Sequence, residues 1–74
     1  MESDTDRKGN TYFEVNNLRI TSIPETWNDD PGIRIQAYKP EGGLHRGAEI
    51  PIPDKETGYD LLNAIHNALG ENGL

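Results

Sequence analysis

The sequence predicts an α+β domain: a small antiparallel sheet of three or four strands, built from two hairpins, with one C-terminal helix packed on one face. Three observations carry this. Phe13 and Val15 are odd-numbered while Leu18 and Ile20 are even, so the apolar phase slips at Asn16-Asn17. Ile33, Ile35 and Ala37 alternate with Arg34, Gln36 and Tyr38, the pattern of a half-buried strand. Along Glu49-Ile50-Pro51-Ile52-Pro53-Asp54 a period of two gives way to a period near 3.6 that runs to Leu69.

Met1 to Asn10 is polar and aperiodic and reads as a disordered tail, leaving residues 11–70 as the single domain. Thr11 to Ile23 reads as a hairpin with a two-residue turn at Asn16-Asn17, since asparagine tolerates positive φ. Val15 then faces Leu18, Phe13 faces Ile20, and Glu14 faces Arg19 on the other side. A bulge in one long strand is the competing account of the same slip. Pro24 to Gly32 is a loop closed by Asp29-Asp30-Pro31-Gly32, with the glycine free to take positive φ.

Pro40-Glu41-Gly42-Gly43 turns the chain, and Leu44 to Pro53 returns it. That register pairs Ile33 with Ile50, Ile35 with Ala48 and Arg34 with Glu49. Pro51 and Pro53 donate no ladder hydrogen bond, so this strand ends at an edge. The helix has two candidate caps, Asp54 and Thr57, the latter forming a capping box with Asp60. Leu61, Leu62, Ile65, Ala68 and Leu69 share one stripe, and Gly70 is the expected left-handed stop before a frayed 71–74. The predicted core lies between that stripe and the sheet face carrying Phe13, Val15, Leu18, Ile20, Ile33, Ile35, Ala48, Ile50 and Ile52.

A 74-residue chain holds one core of modest stability. It has no cysteine, which excludes thiol catalysis and thiolate metal sites and fits a reducing compartment, so a cytoplasmic location is expected. No apolar run is long enough to span a bilayer, and no membrane role is expected. Thirteen acidic against seven basic residues give a net charge of −6, which opposes non-specific phosphate binding and suits a basic partner or a DNA mimic.

Ser3 and Ser22 sit on no nucleophile elbow, and His45 and His66 lack metal-ligand spacing. The glycines form no phosphate-binding loop. The chain therefore reads as a non-enzyme with no cofactor and no metal.

Three surfaces remain. Trp27, ringed by Glu25, Asp29 and Asp30, reads either as an interface anchor or as a lid over one end of the core. The sheet face away from the helix presents Tyr12, Arg19, Arg34 and Tyr38, as a solvated face of cross-strand pairs, as a protein-binding surface, or as a stacking platform for bases. The last is opposed by the acidic total and by the pairing of both arginines with glutamates. Tyr59 and His66 line the helix flank as a contact row or as boundary packing.

The leading expectation is a small non-catalytic module that binds a larger protein partner, as a monomer or weak homodimer. In size and style the chain resembles the accessory and inhibitor proteins of phages and mobile elements. Two alternatives stand beside it: a structural module self-assembling through sheet edges, and a single-stranded nucleic-acid binder using Tyr12, Tyr38, Arg19 and Arg34.

Overall fold

In the computed structural model, which describes residues 1–74, one antiparallel sheet is followed by one helix, as the α+β reading requires. The elements are β1 (Asp4–Thr5), β2 (Thr11–Val15), β3 (Leu18–Ile23), β4 (Gly32–Ala37), β5 (Glu49–Pro51) and α1 (Lys55–Glu71). Every strand pairs with its neighbour in sequence, so the sheet is a meander with β1 and β5 at its edges.

The phase slip is a hairpin turn: Val15 pairs with Leu18, Phe13 with Ile20 and Glu14 with Arg19. Asn16 takes a φ of 54° and Asn17 does not go positive, so the side chain's tolerance of the left-handed region is used once.

The segment 1–10 departs from the expected disordered tail. Asp4 and Thr5 pair with Tyr12 and Thr11, adding a fifth strand. The reason lies in the connection. The Asp6 carboxylate accepts from the backbone N–H of Lys8 at 2.9 Å and of Asn10 at 2.8 Å, while Gly9 supplies positive φ. An aspartate turn thus returns the polar segment to the sheet without any apolar periodicity.

Between β4 and β5, Gly42 and Gly43 turn the chain as expected, both at positive φ. Ile33 pairs with Ile50 and Arg34 with Glu49, but Ile35 and Ala48 do not pair, and the returning strand shrinks to three residues. Gly47 lies against the Ile35 carbonyl, and the Gln36 side chain donates to the His45 carbonyl at 3.1 Å. These contacts take over from the ladder. In the preceding loop, Asp29 rather than Gly32 adopts positive φ, at 64°.

Asp54 is the N-cap of α1, its carboxylate accepting from the Thr57 N–H at 2.7 Å. Gly70 stays helical and Asn72 caps the end; the left-handed glycine is Gly73, at φ 80°. The helix is not long and apolar enough to cross a membrane, and no other element is helical.

The core sits elsewhere than predicted. Only Thr21, Ile23 and Thr26 are buried, and none belongs to the face assigned to the helix. Thr21 and Ile23 share the Arg19 side of β3, and the Thr26 methyl lies against Gly32, the register partner of Ile23. Thr26 seals the loop 24–31 by bonding Asp30 O through both its N–H and its hydroxyl, at 2.7 and 2.8 Å. No residue of α1 is buried, and the helix makes no extended contact with any strand. Ile20, Ile33, Ile35 and Ile50 stay half-buried, and Val15 and Leu18 are exposed. The helix departs from an edge strand through Pro51-Ile52-Pro53, and an open cleft separates its first turns from Ile33 on the sheet.

Candidate functional site

The polar face of the sheet gathers its functional groups around Arg19. Strand alternation sets Tyr12 and Glu14 on β2, Arg19 on β3 and Arg34 on β4 along one side. Tyr38 joins them just past β4, held by a bridge to Leu44. The Arg19 guanidinium lies 3.9 Å from the Tyr12 ring centroid and donates to Tyr38 Oη at 2.6 Å. Tyr38 in turn donates its O–H to the Glu14 carboxylate. Glu14 and Arg19 are cross-strand partners in register, yet their side chains communicate through Tyr38 and not by direct contact. Arg34 forms the expected pair with Glu49, at 2.7 Å.

The electrostatics follow from this packing. Desolvation works against the Arg19 charge, but the Tyr38 hydrogen bond and the fields of Tyr38, Tyr12 and Glu14 outweigh it and raise its pKa. Desolvation, then the neighbouring Asp4 carboxylate, raises the Tyr12 phenol above its usual 10.0. Both groups keep their charge state throughout the neutral range. Arg19 Nε is buried without a hydrogen-bond partner, so the guanidinium is held more by stacking and the Tyr38 bond than by full satisfaction.

Beside this cluster opens a groove of about 440 Å³ lined by Thr5, Asp6, Arg7, Lys8, Tyr12, Arg19 and Arg34. Four cations and one carboxylate meet there. Tyr12 divides it from a second hollow with Glu2, Asp4 and Glu14 in its wall. Arg7 and Lys8 escape a reading of the sequence because the segment carrying them has the composition of a tail. The Asp6…Gly9-Asn10 turn was the available signal.

The Trp27 loop forms a separate site. Trp27 is 73% exposed, and its indole N–H donates to the Glu49 carbonyl at 3.1 Å. It is therefore no core lid, although its ring is pinned to β5. Glu25 and Asp29 face solvent, while the Asp30 carboxylate accepts from Asn28 at 2.9 Å. Tyr59 and His66 are both exposed on α1 and take no part in either site.

No three histidine, aspartate or glutamate side chains come together in an arrangement able to hold a metal ion. No protein-family model, curated protein or solved structure matches this chain.

Proposed function

We propose that this chain is a non-catalytic binding module that takes up single-stranded nucleic acid on the open face of its sheet. The observation behind this reading is the groove lined by Arg7, Lys8, Arg19 and Arg34 together with Tyr12, in which Arg34 is paired with Glu49 while Arg7 and Lys8 form no salt bridge. Phosphates are held by clustered cations, and bases stack on tyrosine rings and guanidinium planes. The net charge of −6 opposes phosphate binding over the surface as a whole. Four of the seven cations line this one groove, so a bound strand is confined to it.

Fluorescence anisotropy with a labelled oligothymidine at low salt tests the reading. The wild-type protein binds, and duplex of equal length binds more weakly. Arg7→Ala with Lys8→Ala lowers affinity and reduces the salt slope by about 1.4, roughly 0.7 for each phosphate no longer neutralised. Flat anisotropy at low salt would end this proposal.

A second reading, binding of a larger protein partner in an accessory or inhibitor role, is favoured by Trp27. A 73% exposed tryptophan with a pinned ring beside Glu25 and Asp29 has the character of an interface anchor with acidic steering. Affinity capture from source cells, compared with Trp27→Ala, tests it. A captured protein retained equally by the alanine variant would remove Trp27 from the contact.

A further inference from the structure

We infer that the apolar side of this molecule, the stripe of α1 together with the sheet face beside it, is covered by a second copy of the same chain. This interface lies on the opposite side of the sheet from the cation groove and does not depend on it.

The helix is built to be covered and is not. Leu62 is 62% exposed, Ile65 42% and Leu69 44%, all on one stripe. Only Gly58 and Leu61 come partly under cover, with Gly58 set against Ile52. Between the first helical turns and the sheet lies an open cleft of about 720 Å³ whose walls include Ile33, Ile52, Leu61 and Leu62. The stripe and the cleft share Leu61 and Leu62, so they form one continuous apolar surface, left open and edged by Asp54 and Lys55.

The surface area gives the scale. A compact monomer of 8.3 kDa exposes about 4,600 Å² by the usual scaling of area with mass. This chain exposes 5879 Å². The excess, about 1,300 Å², is above the roughly 800 Å² that each partner contributes to a standard stable interface.

Charge permits a second copy as the cover. The chain is strongly acidic, so any self-contact must avoid its carboxylates. The stripe meets that requirement. From Tyr59 to Leu69 the only formal charge is Asp60, which lies about 180° around the helix from Leu69 at 100° per residue. An uncharged apolar stripe is complementary to itself about a two-fold axis, with antiparallel helices in contact. The N-terminal segment of the same chain is not the cover, because it is tied into β1 at the far edge of the sheet.

Sedimentation equilibrium of the wild-type chain at high micromolar concentration should return twice 8.3 kDa. A single-chain mass there overturns the proposal. Leu62→Glu with Leu69→Glu should return a single-chain mass, and a variant that remains dimeric overturns the assigned surface. Because a chain stripped of its interface can unfold, a second arm keeps the face intact. The protein has no cysteine, so Leu62→Cys, Ile65→Cys and Leu69→Cys each introduce a unique thiol. At least one should form an interchain disulfide under mild oxidation faster than the loop control Glu41→Cys. Equal rates at all four positions overturn the helix-to-helix contact.

Discussion

Gly32 shows how much a single position carries that its neighbours in sequence do not explain. Beside Pro31 it reads as a turn glycine, yet its φ is not positive. The constraint is space: a Cβ there would land on the Ile50 carbonyl and against the Thr26 methyl. Gly32→Ala should therefore cost about 2 kcal/mol or more in urea unfolding, in the range of overpacked positions. Gly70→Ala is the internal contrast, since that glycine is helical with nothing nearby, and it should stabilise by about 1 kcal/mol. Equal effects at the two positions would refute the crowding account. Arg19 was legible as a face residue from alternation alone. Its stacking on Tyr12 and its route to Glu14 through Tyr38 were not, because rotamers are settled by all three strands together.

Among the elements, α1 was the most legible and the least correctly placed. Its periodicity gave its existence and apolar stripe, and its start lay at one of the two expected caps. Asp54 holds that start. Its carboxylate accepts from the Thr57 N–H and then from the Thr57 side chain, which lowers its pKa below the usual 3.8. A depressed carboxylate stabilises the fold fully above its unfolded pKa, and the contribution is lost as pH falls through the folded value. Helical circular dichroism should accordingly decline in acid below the ordinary aspartate range. Asn caps as well as Asp without titrating, so Asp54→Asn should flatten that part of the decline. Identical acid profiles for the two proteins would show that the cap does not govern it. β1 is the opposite case, invisible to periodicity because a two-residue exposed strand buries nothing. Its signal was turn chemistry at Asp6 and Gly9, not hydrophobic pattern.

At the scale of the molecule, the radius of gyration is 13.3 Å, against about 11 Å for a compact domain of 74 residues. Three buried residues are too few for a self-sufficient core, and two of the three are threonines. The buried residues lie instead at the end of β3 and in the loop that follows it, where Thr26 closes on Asp30. The open shape leaves one polar, cation-lined side and one apolar side exposed, on opposite faces of the sheet. Glutamate substitutions on the apolar stripe should leave the groove's cations in place, because β1 to β4 carry the groove and α1 carries the stripe.

The α+β class, the hairpin at Asn16-Asn17, the pairing of Ile33 with Ile50 and Arg34 with Glu49, and the residues of the polar face are all legible in the chain's residue order. These follow from local alternation and turn chemistry, which act over a few residues. The three-dimensional arrangement was needed to see that Arg7 and Lys8 join Arg19 and Arg34, that the buried residues are Thr21, Ile23 and Thr26, and that the helix leaves its stripe uncovered. Those outcomes depend on the direction in which the chain leaves an edge strand, and an apolar stripe shows that a helix needs a cover without showing whether its own sheet supplies it.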